Sequence, residues 1–260
     1  MAARRRKRNA RAWRTGRRTI ALAVWAVLLA GIVYGLYLFG RGHPEDLPWT
    51  KLDLAQPVGL FTRGKLVDLN DDYPQCRILM DRAGVAFEPA PAIAAEAGQC
   101  GYANGVRLLE AGARTTPFHP RSPPVQCQVA AAIALWEWHV VQPAARRHMK
   151  TSLAGYDQLG TYNCRRMYGR ADGAWSEHAT ANAIDISGFR FADGRRVTLL
   201  QDWNGTGPDA AAKAAFLREV RDGACDLFAT VLSPDYNAAH ADHFHLDQAD
   251  RGAMRGGACR

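Results

Sequence analysis

The sequence predicts an α+β domain, a small antiparallel sheet flanked by helices, behind one N-terminal transmembrane helix. Three observations predict it. An uncharged apolar run at residues 19–40 follows an arginine-rich tail. Further on, segments with apolar residues three and four apart are interspersed with short segments of period two. The two kinds follow each other without the regular alternation of a parallel βαβ fold.

Residues 1–18 form a basic cytoplasmic tail. Nine of the 33 Lys and Arg fall there with no acid, so the rest of the chain nearly balances its 25 Asp and Glu. A nucleic-acid-binding arm is the competing reading of the tail, but a near-neutral remainder removes its main support, and no nucleic acid is expected as a partner. Residues 19–40 have the length needed to span hydrocarbon. Tyr34, Tyr37 and Phe39 stand at the outer end, where aromatic side chains favour the interface, and the arginines hold the other end inside. No small-x-small cleavage site follows, which predicts an uncleaved single-pass anchor in a bacterial inner membrane. Arg17-Arg18 sits in flanks that match a twin-arginine signal poorly. Residues 41–60, with prolines and charges and little periodicity, read as a linker, and residues 61–260 as the domain.

Everything beyond the anchor then faces the oxidising periplasm. Cys76, Cys100, Cys127, Cys164, Cys225 and Cys259 are even in number and contain no Cys-x-x-Cys pair. Three disulfides are expected, their connectivity open.

Within the domain, residues 73–83 have helical spacing, 87–99 are ambiguous and 106–109 suit a strand. Pro123-Pro124 opens the strongest helix, with Val125, Val129, Ile133, Trp136 and Val140 on one face. Pro143 is expected to end or kink it. Trp136 and Trp138 read as core and rim, and Arg146-Arg147-His148 as a solvated helix end. Residues 156–165 read as a strand pair or loop, 183–189 as a strand ending at a glycine, and 189–200 as a hairpin turning at Asp193-Gly194. Pro208 opens a second helix to Arg221, and residues 225–232 continue as helix or strand.

Two stretches carry the chemistry. One runs from Ser176 through His178 to Asp185, and the other is His240-Ala241-Asp242-His243-Phe244-His245-Leu246-Asp247. Four of the eight histidines lie in them. A catalytic zinc takes three protein ligands and keeps one position open. His178, Asp185 and one histidine of the His-x-His pair would supply that set. On a strand, residues i and i+2 share a face, so both rings of the pair reach one point. A carboxylate between Ile184 and Ile186 needs a partner, and a metal is a good one.

Ser176-x-His178-x6-Asp185 followed by His243-x-His245 resembles the zinc signature of the group that unites lysostaphin-type endopeptidases, D-alanyl-D-alanine peptidases and the hedgehog domain. The closer resemblance, over residues 60–250, is to the extensin-like C-terminal domain family of bacterial envelope proteins. It rests on residues 160–165, Ser176-Glu177-His178-Ala179, Ala183-Ile184-Asp185 and the 240–247 stretch. The resemblance implies a hedgehog/peptidase-like fold and a Zn²⁺ held by His178, Asp185 and His245. His243 or Asp242 is then the general base. Asp242 stands where the peptidases have the longer glutamate, Phe244 where they have tryptophan, and Ala181 where they have glycine. Arg165, or its neighbour Arg166, would stabilise charge on the scissile carbonyl. Ser176 would bind a substrate carboxylate or cap the loop, and Asp247 would orient a ligand histidine. The expected activity is zinc-dependent hydrolysis of amide bonds in peptidoglycan stem peptides or cross-links. The competing expectation is a non-catalytic zinc module that binds cell wall or protein.

Overall fold

The computed structural model describes the backbone of residues 2–96, 99–252 and 257–260. Residues 97–98, within the ambiguous stretch, and most side chains of the basic tail lie outside the described residues. Tail and apolar run form one helix, α1 (Ala2–Gly42). Its segment Arg17–Gly42 is the one helix among the described residues long and apolar enough to cross a membrane, and none of it is buried. A bare apolar helix of this kind has no favourable place in water, whether it serves as anchor or as signal.

The expected linker is not one. Residues 44–61 fold back onto the domain: Leu54 is 1% exposed within the main core, and Leu52 and Val58 pack against it. Lys65 Nζ donates to Thr50 Oγ1 at 2.9 Å, and the Leu60 amide to Asp46 at 2.8 Å. The apolar residues of this stretch show no period, yet Leu52, Leu54 and Val58 reach the core.

Two short helices follow, α2 (Thr62–Val67) and α3 (Tyr73–Arg82). Asp72 caps α3 by accepting from the Gln75 amide at 3.0 Å. Strands β1 (Val85–Pro89) and β4 (Gly105–Gly112) pair antiparallel, and between them lies the small hairpin β2 (Ile93–Glu96) and β3 (Cys100–Tyr102). After β5 (Phe118–His119) and β6 (Val125–Gln126) comes the central helix α4 (Cys127–Trp136), all ten of whose residues are buried. Pro143 does not end it. The helix runs on through a π-helical turn (Glu137–Val141), α5 (Gln142–Ala144) and a second π turn (Ala145–Met149). Wider turns absorb the missing amide of a proline that a regular ladder would feel as a break.

The expected small antiparallel sheet is larger and mixed. It contains β7 (Leu153–Gly160), β8 (Ala183–Phe191), β9 (Arg196–Thr198), β10 (Thr230–Leu232), β11 (Phe244–Asp247) and β12 (Ala258–Cys259), together with β5. Its order is β12-β10-β11-β8-β7-β5, with β9 paired to β8. The middle is antiparallel, but β5 joins β7 and β12 joins β10 in parallel. Two-residue strands have too little sequence to show a pattern, so both edges were illegible. Between β9 and β10 lie α6 (Leu199–Asp202) and α7 (Ala210–Ala224). The class is mixed α+β.

Trp136, Tyr156, Phe189, Phe216, Phe228 and Phe244 lie between the sheet and α4 and α7. Trp136 Nε1 donates to the Val220 carbonyl at 2.9 Å, so its one polar atom is satisfied. All six cysteines are paired: Cys76–Cys127, Cys100–Cys164 and Cys225–Cys259. The bridges hold α3 to α4, β3 to the loop after β7, and the end of α7 to β12.

Candidate metal centre

Strand register builds the site. β8 and β11 pair antiparallel with His245 directly opposite Asp185. Directly opposite residues share a sheet face with Cβ atoms about 5 Å apart. Asp185 therefore points away from the side on which Ile184 and Ile186 are buried. On its other flank β8 meets Gly160, at φ 131°, a value that favours glycine.

His178 arrives from the other direction. Ser176 caps a single 3₁₀ turn, Glu177–Thr180, its hydroxyl accepting from the His178 amide at 3.3 Å. Ala181 closes the turn at φ 55° and is fully buried. That is the left-handed region, where glycine is more at ease, so alanine here carries a strain of about 1 kcal/mol. A buried amide network clamps the turn to α4. Gln128 donates to Asn182 at 2.8 Å, and Asn182 donates to Glu177 at 2.7 Å and to the Gln248 carbonyl at 3.0 Å.

The result is a triangle. His178 Nε2 lies 3.0 Å from His245 Nδ1 and 3.2 Å from Asp185 Oδ2, and His245 Nδ1 lies 3.1 Å from Asp185 Oδ1. Each imidazole is fixed from behind. His178 Nδ1 donates to the Thr161 carbonyl at 2.9 Å, and His245 Nε2 donates to Asp247 Oδ2 at 3.0 Å. The inward nitrogens are therefore the ones free to offer lone pairs. Two such pairs and a carboxylate converging call for positive charge between them. The outer hydrogen bonds are the kind that orient metal-bound histidines. Ligands of a tetrahedral zinc, about 2.0–2.1 Å from the ion, stand roughly 3.3–3.4 Å apart, close to the spacing here. The residues present fit a zinc ion.

Electrostatics say the same. Burial pushes Asp185 up, but the hydrogen bonds and charges of His178 and His245 outweigh it and hold its carboxyl far below the usual range. Burial pushes His245 down, yet Asp185 and Asp247 together raise it to about 9. A proton takes the place a cation would fill. Glu177 beside them is raised, by burial first, against the bond from Asn182.

The triangle forms the floor of a cleft of about 740 Å³. His243 reaches it from just before β11, with Nε2 3.6 Å from Asp185 Oδ1. Its Nδ1 donates to Asp242 Oδ1 at 2.7 Å. The two candidate bases are thus one unit: His243 lines the cleft, and Asp242, half exposed, steadies it from behind. Arg165 lines the cleft as well. Arg166 does not; its guanidinium lies 4.4 Å from the Trp175 ring and donates to the Gly173 carbonyl. Ser176 also lines the cleft, and the bond it makes there is the cap on the His178 turn.

Some lining residues escaped the sequence reading. His240 lies against His243, its ring tilted, with ring centres 5.2 Å apart, and burial followed by the nearby imidazoles lowers it to about 4. Tyr168, Trp175 and Tyr236 form one side of the mouth, and Arg251 and Arg260 also line the cleft. His240 stood inside the quoted stretch and needed only a role. The tyrosines and arginines lie on loops without periodicity, and the C-terminal segment reaches the cleft through the β10–β12 pairing and the Cys225–Cys259 bridge.

Residues 74–260 match the family described as Extensin-like protein C-terminus. No curated protein and no solved structure matches the chain. The match spans well over half the sequence, and the chain belongs to that family.

Proposed function

We propose that this extensin-like protein is a membrane-anchored periplasmic zinc hydrolase. It would cut amide bonds in peptidoglycan stem peptides or cross-links. The observation that carries the reading is the convergence of His178, Asp185 and His245 with both outer ring nitrogens already tied. The reaction class is read from the resemblance of the motif to that of the lysostaphin and D-alanyl-D-alanine peptidase group. The exposed apolar helix and the three disulfides support the place: an inner-membrane anchor with its domain in an oxidising compartment. Peptidoglycan is the amide-rich polymer there.

Zinc, when bound, would lower the pKa of a water toward 7 and polarise the scissile carbonyl. The protein supplies the rest. His243 Nε2 faces the centre and accepts the water's proton, and Asp242 keeps its other nitrogen protonated. Arg165, on the wall of the same cleft, stabilises charge developing on the carbonyl oxygen. Asp247 steadies His245, and Ser176 holds the turn that presents His178.

The competing reading is a zinc-containing module that binds wall or protein without cutting, because a fold does not imply chemistry. The exposed aromatic side of the cleft would serve a binder equally well. One experiment separates them. The full chain, purified in detergent and loaded with zinc, is incubated with purified peptidoglycan, and the products are weighed by mass spectrometry. Cleavage is expected. His243→Gln should keep its zinc and lose about 10²–10⁴-fold in rate, the usual worth of a general base. Zinc-loaded wild type that binds wall fragments but yields no products over a range of pH and substrates would leave the binding module.

A further inference from the structure

We propose that the mouth of the cleft holds a sugar-binding subsite on Tyr168 and Tyr236. It selects substrate that still carries its glycan over free peptide. This rests on the reading of the cleft as a peptidoglycan site.

The observations form a continuous ladder of rings. Tyr168 and Tyr236 meet through their hydroxyls at 3.2 Å. Tyr236 lies against His240 at 5.4 Å between ring centres, and His240 against His243 at 5.2 Å. The ladder leads from the mouth to the group placed to take the proton. Both tyrosines line the cleft, yet they are 48% and 37% exposed, so their rings do not serve the core.

Tyr168 also sits at φ 57° in the turn Met167–Gly169, a left-handed conformation that bulky side chains rarely adopt. Such strain persists where surrounding structure enforces it, and it clusters at ligand sites. The Cys100–Cys164 bridge and the Arg166–Trp175 bridge pin this loop on both sides.

The chemistry of the ladder favours a sugar ring. A pyranose has an apolar face of C–H groups and an edge of hydroxyls. The tyrosines match that: flat apolar faces, with polar groups at the edges. Their own hydroxyls, the Arg170 guanidinium 5.7 Å from the Tyr168 ring centre and the Arg165 side chain in the same cleft supply donors and acceptors. An aliphatic peptide side chain would use the ring faces but none of those polar groups. A stem peptide lying over the metal centre is joined covalently to the glycan, so a sugar on the ladder and an amide at the triangle belong to one substrate.

The test has two arms, run on the full chain in detergent. In the binding arm, zinc-free His178→Ala protein is titrated with chitotetraose and with peptide-stripped glycan strands, read by tyrosine and tryptophan fluorescence and by calorimetry. Saturable binding is expected. Tyr168→Asn, which tolerates the left-handed turn but removes the ring, and Tyr236→Ala should each weaken it about tenfold. Tyr168→Phe, which keeps the ring, should retain most of it. In the cleavage arm, zinc-loaded wild type is offered glycan-bearing muropeptides and the same stem peptides freed of sugar. A preference of about tenfold or more for the former is expected. Sugar binding that is absent, or that survives loss of both rings, overturns the subsite. Equal cleavage of the two substrates overturns it too, while leaving the hydrolase intact. Ring-dependent sugar binding without any cleavage keeps the subsite and removes the hydrolase.

Discussion

Two of the buried polar clusters in this domain are built on opposite principles. The first joins Arg114, Thr116, Glu137 and Tyr156 in the core. Arg114 Nε stands 2.8 Å from Glu137 Oε2, and both side chains are at most 4% exposed. Thr116 donates to the other Glu137 oxygen at 2.6 Å, and the guanidinium lies 4.7 Å from the centre of the Phe118 ring. Here the chain supplies the cation and the anion together. The second cluster is His178, Asp185 and His245. It gathers acceptors from three directions, fixes them from behind, and opens onto a cleft. The first pairs its charges within the protein, although Arg114 Nη1 and Nη2 find no hydrogen-bond partner among the described residues; the second brings two imidazoles and a carboxylate together beside a cleft. A buried charge pair is weak evidence even of stability. The proposed zinc site rests on the second arrangement, aligned ring nitrogens and a carboxylate that open onto a cleft.

The comparison can be broken at its strongest point first. His178→Ala, Asp185→Ala and His245→Ala should each abolish stoichiometric zinc, measured by plasma mass spectrometry of the full chain. Arg114→Ala should leave zinc at one per chain in the folded protein. Full zinc in all three ligand variants would put the two clusters in one class.

Stability should show the reverse order. Arg114→Ala strands Glu137 in the core, and breaking a buried pair costs roughly 3–5 kcal/mol. Burial already raises the Glu137 carboxyl, against the bonds of Arg114 and Thr116. Urea unfolding at pH 7 should find this loss. Zinc-free His178→Ala, compared with zinc-free wild type, should lose less, because its partners can turn to water in the cleft.

Smaller in effect is the support behind the ligand. Asp247→Asn keeps size and burial but removes the charge that faces His245 Nε2. Such outer partners are typically worth about 10–100-fold in metal affinity. A competition titration against a zinc chelator should find that loss with the ligand set intact. Unchanged affinity would reduce Asp247 to packing.

The smallest effect belongs to a third, partly exposed cluster, and it carries a pH signature. Asp157 accepts from Arg190 at 2.7 Å and from Arg196 at 2.6 Å, and Gly188 beside it leaves no room for a Cβ without crowding its carboxylate. Burial raises Asp157, but those bonds more than offset it and hold its carboxyl below the usual carboxylate range. A carboxyl depressed on folding adds stability above its unfolded value, lost as pH falls through the folded one. Asp157→Asn should therefore cost about 1.5 kcal/mol at pH 7. The gap should close below about pH 4, near the unfolded carboxylate value. A gap independent of pH would mean shape, not charge, is what Asp157 contributes.

The sequence by itself determined the apolar helix, the oxidising chemistry of six cysteines, the helices at Tyr73–Arg82 and Ala210–Ala224, and the hairpin at Asp193-Gly194. It also marked His178, Asp185 and the His243-x-His245 pair, because chemistry-bearing residues at fixed short spacings are local information, and the family resemblance narrowed the pair to His245. Only the tertiary structure decided the rest. It set His245 opposite Asp185, joined His243 and Asp242 into one unit, chose Arg165 over Arg166 for the cleft and brought Tyr168 to Tyr236. It also paired the cysteines, closed the sheet edges in parallel and buried Leu54 from the expected linker. The reason is physical. Periodicity and spacing report on neighbours along the chain. Register, disulfide pairing and loop placement depend on contacts between residues tens of positions apart, which no local pattern encodes.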